Sequence, residues 1–179
     1  MRAPALGLLA AALTLLADQA TKLSVLRVHD IRANGPFTLG PPELGPPLQI
    51  VEYWNRGVSF GLLQSSEEAV RWALVAVAVV ASVAFTVWML RARSRALALG
   101  LGLVVGGAVG NAIDRVAYGA VFDFVVLRVG PVTWPTIFNV ADAAIVVGVL
   151  LLLYDSLRPS APEPAPAPRK GPEDGPSPA

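Results

Sequence analysis

This chain of 179 residues lacks several residue types that common enzymes depend on. It contains no cysteine, which excludes disulfides, thiol nucleophiles and zinc sites with cysteine ligands. One histidine, His29, excludes a metal site built from several histidines, and two lysines, Lys22 and Lys170, leave little room for a serine/lysine hydrolase. Charged residues make up 15% of the chain, against about 25% in soluble domains. The net charge of +1 provides no basic surface for nucleic acid.

Hydrophobic residues make up 54% of the chain and are concentrated in four long apolar runs. Each run is close to the roughly 20 residues that a helix needs to cross the hydrocarbon core of a membrane. The runs predict an all-α membrane protein with four transmembrane helices at about residues 3–22, 70–90, 96–116 and 138–157. Residues 91–95 form a short loop with three arginines, which the positive-inside rule assigns to the cytoplasm. Both termini are therefore expected in the cytoplasm.

The first apolar run has an alternative interpretation as a cleaved secretory signal. Arg2 precedes it, and small residues occur at 17 and 20. A retained helix agrees better with the sequence, because the run is long for a signal peptide and because Asp18 and Lys22 would be unusual near a cleavage site.

The segments outside the four runs differ in character. Residues 27–68 contain turn signals and then two segments rich in β-branched and aromatic residues, Leu48–Trp54 and Val58–Leu63. They predict a small extracytoplasmic β-hairpin or cradle on the membrane surface. From Pro159 onward the chain is rich in proline and alanine without apolar periodicity. We therefore expect a membrane domain over residues 1–157 and a disordered cytoplasmic tail over residues 158–179.

Polar residues that are costly inside a membrane occur at one level, near the expected outer boundary. Four different elements contribute to this level: the first, third and fourth spans and the second outward loop. The residues are Asp18, Lys22, Asn111, Asp114, Arg115, Asp123, Asn139 and Asp142. Such convergence indicates a functional site more strongly than any single residue does.

Several of these residues also have a purely structural interpretation. Asp18 and Lys22 are four positions apart, so an ion pair on one helix face would let both enter the membrane. Arg115 could extend its guanidinium to the interface. Asn139 and Asp142 have the spacing of a helix N-terminus, where a side-chain oxygen caps free N–H groups and an acid is favoured by the helix dipole.

Three glycines at four-residue intervals, Gly102, Gly106 and Gly110, mark the third span. They predict close helix packing. A phosphate loop is disfavoured, because no Lys-Ser/Thr pair follows and no soluble strand precedes them.

Two carboxylates beside amide and guanidinium groups suggest hydrolysis by a pair of acids. Two acids held close share one proton, so one takes a proton from water while the other donates to a carbonyl oxygen. Asp123, expected in the second outward loop among apolar neighbours, and Asp142 are candidates, and spacing alone would also admit Asp114. A small proton-coupled transporter that uses these acids is the alternative, although transporters usually place them at the midplane of repeated halves. A non-catalytic scaffold would not explain the converging acids.

Four blocks of the sequence resemble signal peptidase II, the lipoprotein signal peptidase family of bacteria. They are similar to the family patterns D-Q-x-x-K, N-x-G-x-A-F-G, G-G-A-x-G-N-x-x-D-R with G-x-V-x-D-F, and F-N-x-A-D-x-x-I. The matching residues are Asp18–Lys22, Asn55–Gly61, Gly106–Arg115 with Gly119–Phe124, and Phe138–Ile145. Ser59 stands where the family usually has alanine, and the tail after Arg158 lies outside the resemblance.

The resemblance implies a membrane aspartic peptidase with four helices and a small extracytoplasmic β-cradle. Such enzymes remove the signal peptide from prolipoproteins whose cysteine after the cut carries a diacylglyceryl group, and they use no metal or other cofactor. The expected partners are the lipidated substrate and membrane lipids, with no nucleic acid, and we expect a monomer. The expected location is the bacterial cytoplasmic membrane, with the active site at its outer face.

The resemblance also implies a role for each matching residue. Asp123 and Asp142 correspond to the catalytic pair, one ionised to activate water and the other protonated to bind the scissile carbonyl. The residues that correspond to the lining of the site are Asn55, Asn111, Arg115 and Asn139. The residues in supporting positions are Asp18, Lys22 and Asp114.

Overall fold

The computed structural model describes residues 1–40, 48–57, 67–129, 132–133 and 136–157. The helices are α1 (Ala3–Leu23, continued by a π-helical segment Ser24–Val28), α2 (Ile31–Asn34), α3 (Glu67–Leu90), α4 (Arg95–Tyr118) and α5 (Val140–Ser156). The strands are β1 (Phe37–Leu39), β2 (Leu48–Asn55), β3 (Val121–Val129) and β4 (Val132–Thr133). Two predictions lie outside these residues: the strand over Val58–Leu63 and the tail over residues 158–179.

The long helices coincide with the predicted apolar runs. Within the described residues, three of them are long and apolar enough to cross a membrane: Ala3–Val28, Glu68–Leu90 and Arg95–Tyr118. The predicted tight reversal lies between Leu90 and Arg95, where the Ser94 hydroxyl accepts a hydrogen bond from the Leu97 N–H and caps α4. The fourth run forms α5, which has 17 residues. Its passage through a membrane stays a prediction.

Helix α4 lies at the centre of the helical part and contacts α1, α3 and α5. Its glycines allow these close approaches: a Cβ added at Gly102 would overlap the Gly7 carbonyl of α1, and one at Gly106 would lie 2.5 Å from the Ala11 carbonyl oxygen. On its other face, a Cβ at Gly107 would lie 2.5 Å from the Ala141 carbonyl oxygen of α5. The packing interpretation of the glycine pattern is confirmed.

The strands form one antiparallel sheet in the order β1-β2-β3-β4. The predicted strand at Leu48 is confirmed, and in the described residues its neighbours are β1 and the later strand β3. The expectation that Asp123 lies in a loop is wrong, because it is the third residue of β3 and pairs in register with Tyr53. The apolar residues on either side of Asp123 in the sequence belong to the same strand and are buried with it.

A short backbone connection fixes the start of α5 against the sheet. The Val125 N–H donates to the Phe138 carbonyl oxygen at 2.8 Å, and the Phe138 N–H donates to the Val125 carbonyl oxygen at 3.1 Å. Asn139, the N-cap of α5, therefore lies beside β3. The end of α4, the strand β3 and the start of α5 meet at this point.

Candidate active site

Asn139 connects the two candidate acids, Asp123 and Asp142, and has no exposed surface. Its side-chain oxygen accepts the Asp142 N–H at 2.9 Å, and the Asp142 carboxylate accepts the Asn139 N–H at 3.3 Å, so the two residues form a reciprocal N-terminal cap of α5. The Asn139 amide nitrogen also donates to Asp123 at 2.7 Å. The capping interpretation is confirmed, and the same residue contacts both acids.

Asp123 projects from β3 toward Asn139 and is 1% exposed. Its Oδ1 accepts the bond from Asn139, and its Oδ2 accepts a bond from the Asn55 amide at 3.0 Å. Burial raises the pKa of Asp123 to about 6, because a charge in this position has lost its water. The two amide donors oppose this shift, whereas the nearby Asp142 adds to it.

Asn111 connects Asp142 to the rest of the network from α4. Its amide nitrogen donates to Asp142 Oδ1 at 2.8 Å. Its amide oxygen accepts from the Asn139 amide at 3.1 Å and from the Lys22 ammonium at 3.3 Å. An ammonium has only donors, so Lys22 fixes which end of the Asn111 amide faces Asp142.

Lys22 lies in a buried charge cluster that joins three helices. Its ammonium is 2.8 Å from Asp18 Oδ2 and 2.7 Å from Asp114 Oδ2. The predicted pair between Asp18 and Lys22 is confirmed, and Asp114 is a second partner. Asp18 Oδ1 also accepts the Ala141 N–H at 3.0 Å, and Asp114 Oδ2 accepts the Phe122 N–H at 3.1 Å. The cluster thereby holds α1, α4, α5 and β3 in register.

Gln19 is a member of this cluster that the sequence reasoning did not single out as a site residue. Its amide nitrogen lies 3.1 Å from Asp18 Oδ2, 3.2 Å from Asp114 Oδ1 and 3.3 Å from the Gly110 carbonyl oxygen. Its position beside Asp18 near the end of an apolar helix was the available signal, since an amide at that depth needs partners.

Arg115 contributes the positive charge nearest the two acids. Its guanidinium is half-buried and donates to the Asn111 carbonyl oxygen at 3.4 Å. It interacts electrostatically with Asp142, Asp123 and Asp114, in decreasing order. These contacts do not agree with the interpretation that Arg115 only extends its guanidinium to water at the membrane interface.

The structure thus brings all nine predicted site residues into one network. Two carboxylates from distant segments share Asn139, three amides hold them, and one guanidinium lies beside them. Within the described residues, no group of three or more histidine or carboxylate side chains is arranged to hold a metal ion. The arrangement is suited to acid/base chemistry by two carboxyl groups.

A family description agrees with this geometry. Residues 10–158 match the family model described as signal peptidase (SPase) II. The chain belongs to the signal peptidase II family. It is therefore a peptidase, and the family is of the aspartic type.

Individual relatives support the assignment along nearly the whole chain. The lipoprotein signal peptidase of Methylobacterium sp. (strain 4-46) is 56% identical over 157 residues, which is 88% of this chain and 92% of that protein. The lipoprotein signal peptidase of Methylorubrum extorquens (strain PA1) is 52% identical and covers 89% and 90% of the two chains.

Solved structures of bacterial membrane enzymes have a similar fold. One, determined by the in meso method at 2.3 Å resolution, has a TM-score of 0.68 and 25% identity, and the match covers 84% of this chain and 87% of that chain. A second, at 1.9 Å resolution, has a TM-score of 0.65 and covers 86% and 94%. The fold of this chain is therefore similar to that of bacterial membrane enzymes.

Proposed function

We propose that this signal peptidase II enzyme cleaves diacylglyceryl-modified prolipoproteins just before the lipidated cysteine, with Asp123 and Asp142 as its catalytic pair. The assignment rests on the observation that Asn139 hydrogen-bonds both acids. Its amide nitrogen donates to Asp123, and it exchanges two backbone–side-chain hydrogen bonds with Asp142 at the start of α5. In contrast, Asp114 has its carboxylate engaged by Lys22 and the Phe122 N–H. An acid with such partners stabilises structure, whereas Asp142 is only partly buried and remains accessible to water.

The reaction is direct hydrolysis of the peptide bond. The ionised acid takes one proton from a water molecule as the water oxygen attacks the scissile carbonyl carbon, while the protonated acid donates a hydrogen bond and then its proton to the carbonyl oxygen. The tetrahedral intermediate collapses when the C–N bond breaks and the nitrogen takes up a proton. The products are the free signal peptide and a lipoprotein with a new amino terminus.

The surroundings of the two acids distinguish their roles. Asp142 lies at the N-terminus of α5, where the helix dipole and the Asn139 N–H favour a negative charge. Asp123 is buried, and its pKa of about 6 favours the protonated form more than an ordinary aspartate does. We therefore assign the base to Asp142 and the shared proton to Asp123 in the resting pair.

The other network residues hold this pair in position. Asn55, Asn111 and Asn139 present amide N–H groups to the carboxylates. Arg115 supports the singly ionised form of the pair electrostatically. The buried charge cluster of Asp18, Lys22 and Asp114 supports the site through the hydrogen bond from Lys22 to Asn111.

We further propose four transmembrane helices, with cytoplasmic termini and the active site at the outer face of the bacterial cytoplasmic membrane. Helix α5 has 17 residues and spans about 25 Å at 1.5 Å per residue, close to the hydrocarbon thickness of about 30 Å. Its exposed side chains are apolar along most of its length: Val146, Val147, Val149, Leu150 and Leu153. A monomer suffices for the site, because the whole network comes from one chain.

The direct test is cleavage by purified full-length protein in detergent with EDTA present. A prolipoprotein carrying the diacylglyceryl group should be cut before the modified cysteine, as mass spectrometry of the products will record. The same prolipoprotein without the lipid is the matched control. Failure to cut the lipidated substrate by folded protein, or equal cleavage of the unmodified one, would contradict the proposal.

Asn55→Ala should move the pH dependence of cleavage to higher pH. The Asn55 amide stabilises the charged form of Asp123, so its removal raises the pKa of Asp123 above about 6. If protonated Asp123 is the active form, activity declines as pH rises through this pKa, and the decline begins later in the variant. We expect a shift of about one pH unit, the effect of one hydrogen bond to a charged group.

The measurement for this variant is kcat/KM of the lipidated substrate across the pH range. Asn34→Ala, which changes an exposed asparagine of α2, should leave the profile unchanged. If the high-pH decline of activity in Asn55→Ala occurs at the same pH as in the wild type or at a lower pH, the assignment of the proton to Asp123 is contradicted.

Truncation after Arg158 should leave cleavage and the melting temperature in detergent unchanged. The removed residues have the composition of a chain that cannot bury a core. Truncation after Leu150 is the comparison: it also removes Asp155, which accepts a hydrogen bond from Ser94 at the base of α4, and it should lower the melting temperature. A large loss of activity in the first truncation would show that the tail takes part in function.

A further inference from the structure

A polar cavity lies beside the end of α4, outside the proposed catalytic network. Its volume is about 640 Å³, within the range of about 300–1,000 Å³ typical of small-molecule sites. We call it the arginine pocket, and its side chains are Arg32, Trp54, Arg56, Glu68, Arg71 and Tyr118. None of these six is required by the peptidase mechanism above.

The charge of the pocket is unusual for its location. Three guanidinium groups, from α2, from the end of β2 and from α3, line it together with one carboxylate, that of Glu68. The pocket lies at the active-site end of the helices, which is the outer side in the proposed topology. Outward segments usually carry few cationic residues. Three arginines that line one cavity there indicate an anionic ligand.

Arg71 is held in place by the backbone it caps. Its Nε donates to the Arg115 carbonyl oxygen at 2.7 Å, and its Nη2 donates to the Val116 carbonyl oxygen at 2.9 Å. These carbonyls belong to the last turn of α4, and that of Arg115 also accepts the Gly119 N–H at 3.1 Å. Its guanidinium also lies 4.9 Å from the ring centre of Trp72. Among the described residues no acceptor is recorded for Nη1, so the held guanidinium can still donate to a ligand.

Arg32, which also lines the pocket, is held through one side-chain nitrogen. Its Nε donates to Glu52 at 2.8 Å, and the same carboxylate oxygen accepts the Trp54 indole N–H at 2.8 Å. The bond from the Trp54 indole makes the largest contribution to a lowered pKa of Glu52, and the bond from Arg32 adds to it. Glu52 therefore stays charged. The bond uses only Nε, so the two terminal nitrogens of Arg32 remain for another acceptor within the part of the chain described.

An apolar groove continues from the arginine pocket toward the membrane. It lies between α3 and α4, has a volume of about 360 Å³, and includes Val75, Ala78, Val109, Ile113 and Val116. Val75 is one helical turn from Arg71. Val116 also provides a carbonyl that Arg71 binds. The two cavities therefore follow one another, with cationic groups at the membrane boundary and an apolar channel below them.

We propose that the arginine pocket binds the phosphate of an anionic phospholipid, with one acyl chain in the groove between α3 and α4. Guanidinium groups suit phosphate oxygens because they offer paired N–H donors in a planar fork. Exposed Trp72 and Tyr118 mark the interfacial level at which head groups lie. A free phosphate would leave the groove unused. Dioctanoylglycerol has no phosphate, and the choline of phosphatidylcholine would bring a second cation beside the three guanidinium groups.

The test is binding of short-chain lipids to the full-length protein in detergent, by isothermal titration calorimetry without substrate. The probes are dioctanoyl-phosphatidylglycerol, dioctanoyl-phosphatidylcholine, dioctanoylglycerol and inorganic phosphate. We expect saturable binding of the first and weaker binding of the other three. Arg32→Gln combined with Arg56→Gln should weaken the binding of phosphatidylglycerol about tenfold or more. Arg91→Gln combined with Arg93→Gln, which changes two exposed arginines of the loop between α3 and α4, is the charge-matched control and should bind as the wild type does.

Two further variants separate the parts of the proposal. Ala78→Phe fills the groove and should weaken phosphatidylglycerol binding without lowering the melting temperature. Asp142→Asn should bind the lipid normally, so lipid binding and cleavage are measured independently. Equal binding of phosphatidylcholine, of dioctanoylglycerol or of inorganic phosphate overturns the proposal, as does unchanged affinity in the double arginine variant. If Ala78→Phe leaves lipid affinity unchanged, the acyl chain does not occupy the groove and the proposal is again overturned.

Discussion

Asparagine in place of Asp123 or Asp142 is expected to lower cleavage by at least about a thousandfold, because general acid–base catalysis contributes factors of about 10²–10⁴. The amide keeps the size of the carboxyl group but neither takes a proton from water nor shares one with its neighbour. Both variants should remain folded. Asp123→Asn keeps one of the two hydrogen bonds from Asn55 and Asn139, and its amide is neutral, as the protonated Asp123 carboxyl is.

The measurement is the rate of signal-peptide release from lipidated prolipoprotein, together with the melting temperature of each variant in detergent. Asp155→Asn is the matched control: it changes another aspartate of α5, at the end opposite the site, and should retain cleavage. Near-normal turnover by either catalytic variant would remove the pair assignment. A variant that fails only because it does not fold would be recognised by its melting curve.

Lys22→Met is expected to give the largest loss of stability among single changes at the site. The Lys22 ammonium is 3% exposed and lies between the carboxylates of Asp18 and Asp114. Its removal leaves two buried acids without their cation, and breaking a buried ion pair from one side costs about 3–5 kcal/mol. Activity should also fall, because the Asn111 amide loses the donor that orients it toward Asp142.

Asp114→Asn is the milder comparison for the same cluster. Lys22 keeps its pair with Asp18, and the asparagine oxygen can still accept the Phe122 N–H, so we expect a loss of about 1–3 kcal/mol with cleavage retained. A triple variant in which Lys22→Met is combined with Asp18→Asn and Asp114→Asn removes the whole set of charges and should recover much of the stability lost in Lys22→Met alone.

Thermal unfolding in detergent ranks the three cluster variants. An unchanged melting temperature in Lys22→Met would contradict the buried-charge argument. A folded but inactive Asp114→Asn protein would contradict the supporting role of Asp114 and return it to the list of catalytic candidates.

The helices could be predicted from the sequence because their causes are local. Apolar runs of membrane length, the loop at residues 91–95 and the spacing of Asn139 and Asp142 each involve neighbours along the chain. The pair of Asp18 and Lys22 was predictable for the same reason, since four residues make about one turn of helix. The glycine pattern indicated close packing without indicating the partner helices.

The sheet pairing was not predictable in this way. Strand β2 was predicted from its β-branched and aromatic residues, but its pairing with β3 joins segments about seventy residues apart. Local preference does not choose between partners at that distance. For the same reason Asp123 was expected in a loop, because an apolar run with one acid does not by itself distinguish a paired strand from a connecting segment.

The site shows most clearly which features each level of structure decides. The sequence by itself determined which residue types exist for chemistry: no cysteine, one histidine and a few acids and amides at one membrane level. Only the tertiary structure decided that Asn139, the cap residue of α5, also contacts Asp123 of β3, and that Lys22 also pairs with Asp114. These contacts join different elements, and they form only because the glycines of α4 let α1 and α5 approach it closely enough for short polar side chains to meet.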